Sequence, residues 1–373
     1  MTVGLLPTLT EEQAMLVDTS VRFMEAECPM SAVRSRFDGA GNTDEAYRYK
    51  ASELGWFGMF AGEENGGGST SGNGLLDAAL IAAERGARLQ PGPFVGHSLA
   101  VHSLATGPSR AHADVLADLV HGRGWATWVF DPNNSCELRA AGDELRLHGA
   151  IDAVADCNEC TWMTLEACGP EGLAQVLLPL DTPGVTIRRA EGFDLSRSWS
   201  RAEFQEVRVK ADDLLAPPGL ESENRFARQA QMAAVLSAAE SVGAMHADFE
   251  MALQYSKDRI AFGRPIGSFQ AIKHLLADTS LWLEMSKGVV AAAATALGSE
   301  APDGPELAHA AKAFVAEKSV DLFQNCFQVF GGIGYTWEHD QHLYLRRLAA
   351  DGECFGSPAW HRARMLEVVG VNR

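Results

Sequence analysis

The chain has 373 residues, 46% hydrophobic and 21% charged, and its 31 Lys and Arg against 49 Asp and Glu leave a formal net charge of −18. This is globular composition. Its negative field repels nucleic acid and anionic membrane surfaces at long range, so neither is an expected partner, and an anionic ligand must be gripped by a local group of cations and amides. The sequence lacks the long apolar run of a membrane span and the basic-then-apolar plan of a leader, with Glu11, Glu12 and Asp18 arriving early, so the expected location is cytoplasmic. Seven cysteines at irregular spacing in a chain of this size predict reduced, packed thiols. Cys157 and Cys160 form a lone C-x-x-C with no second pair at zinc-finger distance, so no metal site is expected.

Three segments follow one another. From Leu9 to about Gly122 the pattern is helical, opened by a capping box of Thr10 and Gln13 and broken at Gly66–Gly68 and Pro91–Pro93. From about Trp125 to Pro218 short β-type runs take over: Trp125–Phe130, Glu144–Leu147, Val176–Leu180, Val185–Ile187 and Phe204–Val209. After Pro217 and Pro218 long amphipathic helices are predicted over roughly 222–258, 267–297 and 305–330, with a final stretch after Glu338. The expected fold is α+β: an N-terminal helical domain (1–123), a middle antiparallel β-domain (124–217) and a C-terminal four-helix bundle (218–373). No β-α-β alternation and no G-x-G-x-x-G after a strand are present, which argues against a nicotinamide-binding Rossmann domain.

Two stretches carry chemistry. In Arg259-Ile-Ala-Phe262-Gly263-Arg264-Pro265-Ile-Gly267-Ser-Phe-Gln270, a helix is expected to end at Gly263 and another to start near Ser268, so that Arg259, Phe262 and Gln270 share one rim. A guanidinium for phosphate, a ring face for stacking and an amide for a base edge suit a nucleotide; a helical hairpin with a surface ion pair is the plainer alternative. In Gln328-Val-Phe330-Gly331-Gly332-Ile-Gly334-Tyr335, clustered glycines let backbone amides approach an anion, or simply cap a helix.

Together these stretches resemble the acyl-CoA dehydrogenase family. The resemblance extends to Glu53-Leu-Gly-Trp56-Phe57-Gly58, Glu63-Glu64-Asn65-Gly66-Gly67, Pro91-Gly92-Pro93-Phe94 and His342-Leu-Tyr344-Leu-Arg346-Arg347. It implies the three-part plan above and FAD bound between subunits, with Arg259, Phe262 and Gln270 on its adenine-diphosphate half and Gln328, Gly331 and Gly332 at the pyrophosphate. The implied reaction is α,β-dehydrogenation of an acyl-CoA to a trans-2-enoyl-CoA: a carboxylate takes the α-proton and the flavin takes a hydride from the β-carbon. Electrons then pass to an electron-transferring flavoprotein.

The sequence departs from that family at the base. Its usual position is occupied by Phe355, and the alternative position on the helix before Arg259 by Ala233. Glu240, two helical turns after Ala233 and amid small apolar residues, is the candidate catalytic base; a buried Glu paired with an Arg is the structural alternative, and Glu353 a third choice. The middle segment also lacks the family's flavin-ring loop, reading Phe130-Asp131-Pro132-Asn133-Asn134-Ser135-Cys136. The pattern resembles one subunit of the actinobacterial α2β2 acyl-CoA dehydrogenases that act on bulky acyl-CoAs such as steroid side chains, with homologous chains sharing FAD sites. A homotetramer, a catalytically silent subunit of such an enzyme, and a flavin oxidase or monooxygenase on the same fold are the competing readings.

Overall fold

The computed structural model describes residues 2–36, 45–108, 111–142, 144–368 and 370. The first helix, α1 (Glu11–Glu27), opens on the expected cap: Gln13 N donates to Thr10 Oγ1 and Thr10 N donates to Gln13 Oε1, each at 3.2 Å. It is followed by α2 (Met30–Ser35), α3 (Glu45–Glu53), α4 (Gly74–Ala87), α5 (Phe94–Ala105) and α6 (Ala113–Val120). Nearly every residue of α4 and α5 is buried, which marks them as internal helices.

The middle segment contains β1 (Ala126–Trp128), β2 (Cys136–Ala141), β3 (Glu144–Ala155), β4 (Trp162–Gly169), β5 (Gly172–Pro179), β6 (Val185–Ala190) and β7 (Trp199–Val209). In space the order is β1-β4-β2-β3-β7-β6, with β5 also on β4. The antiparallel expectation holds for β2–β3, β3–β7, β6–β7 and β4–β5. It fails where β1 and β2 meet β4 in parallel. Parallel pairing needs a long crossover, and the β2–β3 hairpin supplies it between β1 and β4.

The helical remainder is α7 (Leu220–Asp258), a short hairpin of β8 (Ile260–Ala261) and β9 (Arg264–Pro265), α8 (Gln270–Gly298), α9 (Gly304–Phe330), α10 (Gln341–Glu353) and α11 (Pro358–Val368). Two expectations are corrected. The helix before the Arg259 segment stops at Asp258, because Phe262 (φ 53°) and Gly263 (φ 77°) turn the chain into the hairpin. The final helical stretch is two helices, split where Phe355 (φ 60°) and Gly356 (φ 108°) leave helical geometry.

The N-terminal and C-terminal helices share one apolar core, from Val3 through Leu348, while the sheet has its own. The tightest seam is between α4 and α7. A side chain at Gly86 would place its Cβ 1.9 Å from the Glu240 carbonyl oxygen, and one at Gly243 would lie 1.8 Å from that of Ala83. Backbone-to-backbone contact there sets Glu240 beside Arg85. Among the described residues no helix is long and apolar enough to cross a membrane, and no cluster of ligating side chains could hold a metal ion.

Candidate active site

A cavity of about 750 Å³ opens where the segment before α5, the sheet, α7 and the α10–α11 junction converge. One wall is aromatic. Trp128 lies over Phe355 (centroids 6.1 Å) and Phe226 (4.9 Å), and Phe130 stands edge-on to Trp360 at 5.1 Å. Trp128 is fixed by its polar end: Nε1 donates to Gln229 Oε1 at 2.8 Å, and Gln229 is held in turn by Gln175. The Phe355 carbonyl is tied to His361 Nε2 at 3.0 Å, and His361 Nδ1 lies 2.9 Å from His309 Nδ1. A carbonyl only accepts, so Nε2 of His361 carries its proton and His309 must donate across the pair. Burial drives both imidazoles toward neutrality, His309 to about 4 and His361 to about 3.

Glu240 lies in the cavity wall, 2% exposed. Its carboxylate is already engaged. Arg197 Nη2 donates to Oε2 at 2.5 Å, and Arg85 Nε lies 4.0 Å from Oε1. Arg85 is itself caged: its guanidinium sits over the Phe94 and Trp56 rings at 4.9 and 5.3 Å, and it donates to the Pro91 carbonyl at 2.7 Å. The N-terminal motifs around Trp56 and Pro91 therefore end as supports of this charge. On its other side Arg197 bonds to Asp351, whose backbone carbonyl accepts from Lys312, and Lys312 Nζ donates to Ser237 Oγ at 2.8 Å. Burial raises the Asp351 pKa against the opposing pull of Arg197, and burial lowers that of Lys312 against Asp351. A parallel pair, Arg347 on Asp194 at 2.8 Å, holds the loop carrying Arg197. Glu240 thus lines the cavity and is ion-paired with Arg197. Glu353, the last residue of α10, also lines the cavity; it is exposed and has no ion pair with a described residue.

Several cavity groups had no sequence signal. Arg197 lines the cavity and meets Glu240 only through tertiary folding, and so do the groups behind it: Asp351 on Arg197, Lys312 on the Asp351 carbonyl and Asp194 on Arg347. Asp156 borders the cavity in a left-handed backbone conformation, its Oδ1 accepting from Ser198 N at 2.9 Å. Burial, reinforced by Glu159, pushes its carboxyl up to about 6.

The nucleotide-type residues lie elsewhere. Asp258, the last residue of α7, is roughly 27 Å along that helix from Glu240. There Arg259, Gln270, Gln328 and Gly332 are exposed, Gly331 is half-buried, and Phe262 is 95% exposed. The Tyr255 and Phe330 rings pack at 5.3 Å, which brings the end of α7 and the end of α9 together, and Ile266 N donates to the Arg259 carbonyl at 2.8 Å. The Arg259 side chain has no partner among the described residues, against the surface ion pair of the plainer alternative. No atom lies within 4 Å of a Cβ built at Gly331 or Gly332. Internal packing therefore does not demand glycine at 332, whereas close approach by an external ligand does. The Arg259 guanidinium and the Gln270 and Gln328 amides are thus exposed without a side-chain partner among the described residues, and the glycine backbone at Gly331 and Gly332 is open.

Residues 10–123 match the acyl-CoA dehydrogenase N-terminal domain, and residues 224–370 match the acyl-CoA dehydrogenase C-terminal domain. The chain belongs to the acyl-CoA dehydrogenase family. It is 30% identical over 360 residues to the acyl-CoA dehydrogenase IpdE2 of Mycolicibacterium smegmatis, covering 96% of this chain and 99% of that one. Among solved structures, the ChsE4-ChsE5 complex of Mycobacterium tuberculosis has a chain with TM-score 0.87 at 21% identity, covering 98% of this chain and 99% of that one. A variant of the Tcur3481-Tcur3483 steroid acyl-CoA dehydrogenase gives 0.86 at 22%, with the same coverage. At those identities the likeness is one of fold.

Proposed function

We propose that this chain is one subunit of a heteromeric, FAD-dependent acyl-CoA dehydrogenase, and that it seats the adenosine diphosphate half of a FAD whose ring lies in a homologous partner chain. One observation supports this reading: Arg259, Gln270, Gln328 and Gly332 are exposed and without side-chain partners among the described residues, and the α7 end that carries Arg259 lies far from a cavity with an aromatic wall. When bound, FAD supplies the acceptor for the hydride leaving the acyl β-carbon. The residues of this chain then divide their work. Arg259 gives a charge-assisted contact to phosphate, the backbone at Gly331 and Gly332 offers amides without a side chain in the way, Gln270 and Gln328 offer amide hydrogen bonds, and Phe262 offers a ring face. Steroid-type acyl-CoAs are the proposed substrate class of the assembly, by likeness to the relatives named above, and an electron-transferring flavoprotein is the proposed electron acceptor.

In this reading Glu240 is a fixed anion that positions Arg197. The proton is taken in the partner's cavity. A second reading rests on Glu353: an unpaired carboxylate at the cavity wall gives this chain its own candidate base in place of Glu240. Acyl-CoA turnover by the assembled complex separates the two. Glu353→Gln leaves turnover intact under the first and abolishes it, with flavin still bound, under the second.

A further inference from the structure

Beneath the glycine turn is a polar contact that neither the fold nor the proposed chemistry requires. Asp248 of α7 is 0% exposed, and its carboxyl oxygens have only loose approaches from the Gln341 amide and the Cys326 thiol, neither of which reaches full hydrogen-bond geometry. The groups facing it are the Cys326 thiol of α9 and, from α10, the Gln341 amide and the Tyr344 ring; none is a cation. Gln341 is also 0% exposed, with both amide atoms unmet. Its Oε1 is the atom that a side chain at Gly334 would strike, at 2.7 Å, so the turn Gly331–Tyr335 rests directly on this amide.

An isolated buried carboxylate is costly, and such a group sheds its charge by taking up a proton. Once neutral it is complementary to a primary amide: its O–H donates to Oε1 while its carbonyl accepts from Nε2–H. The ionised form offers no donor to Oε1. We propose that Asp248 is carried as a neutral carboxylic acid paired with Gln341, and that it is a positioning residue for the glycine turn. This rests on the proposed function only for what the turn grips. The direction of the Asp248 pKa, well above the ordinary carboxyl value because of burial, agrees.

The test combines infrared spectroscopy with amide exchange on the chain purified with its partner. At neutral pH the wild type minus Asp248→Asn difference spectrum should show the carbonyl band of a protonated carboxylic acid, downshifted in heavy water; buried Glu166, which burial pushes up to about 9, cancels in that difference. Asp248→Asn, which keeps an amide able to pair with Gln341, should leave exchange of the turn amides as in wild type. Gln341→Leu and Asp248→Leu should each speed it about tenfold, the loss of roughly one buried hydrogen bond. Absence of the acid band, or an Asp248→Asn variant as fast as Asp248→Leu, overturns the proposal. A complex that shows the band but holds no FAD contradicts the proposed function and leaves this inference standing.

Discussion

At the scale of single residues the two informative positions are Glu240 and Gly332. Glu240 was legible because helical periodicity puts it two turns from Ala233 on one face. Its partner was not, since Arg197 arrives on a loop 43 residues upstream and no local pattern links them. Removing one member of a buried ion pair leaves the other charge uncompensated. Glu240→Gln is expected to lower stability by about 3 kcal/mol, read by urea denaturation of the complex, while turnover per folded complex stays unchanged. Loss of turnover with stability intact would restore Glu240 as base. Gly332 makes the opposite prediction. Its backbone borders open space, so Gly332→Val should leave the urea midpoint unchanged while FAD retention falls at least about tenfold, the penalty for blocking one close backbone approach.

At the scale of elements, the long helices were readable because their apolar residues recur with the helical period and breakers such as Pro217, Pro218, Pro265 and Gly267 separate them, although none of α7, α8 and α9 carries a side-chain cap. The sheet was less so. β4 is buried along most of its length and lacks the alternation that marks a half-exposed strand, while β2 alternates only over the four residues Cys136–Arg139, too few to stand out. The split between α10 and α11 falls at Phe355 and Gly356, just before Pro358, where glycine and proline mark a helix break that the single final stretch passed over. The α4–α7 seam shows how an element-level contact builds the site. Gly243→Val drives a side chain into the Ala83 carbonyl, separates Arg85 from Glu240, and should cost about 3 kcal/mol or more in the same urea assay.

Across the whole molecule, the buried His97, His309 and His361 and the half-buried His102 predict acid lability. His97 and His361 are depressed to about 3, and His102 and His309 to about 4, all by burial. Their folded values lie below the ordinary 6.5, so on acidification the unfolded chain takes up protons first. Their contribution is complete above pH 6.5 and is lost as pH falls toward 4, at up to about 1.4 kcal/mol per pH unit for each histidine. Urea midpoints should fall steeply across that window. The −18 net charge bears on the proposed ligands: FAD and coenzyme A are anions, and a strongly acidic chain that binds them needs a local exception. In the proposed function the exposed groups around Arg259 and Gly332 are that exception.

The flavin content of the purified protein tests that arrangement most directly. Expressed alone, the chain should be colourless or poor in FAD; co-expressed with its homologous partner chain, it should yield about one FAD per pair of chains, and Arg259→Ala should strip that flavin. A yellow homotetramer of this chain that oxidises acyl-CoA unaided would contradict the account.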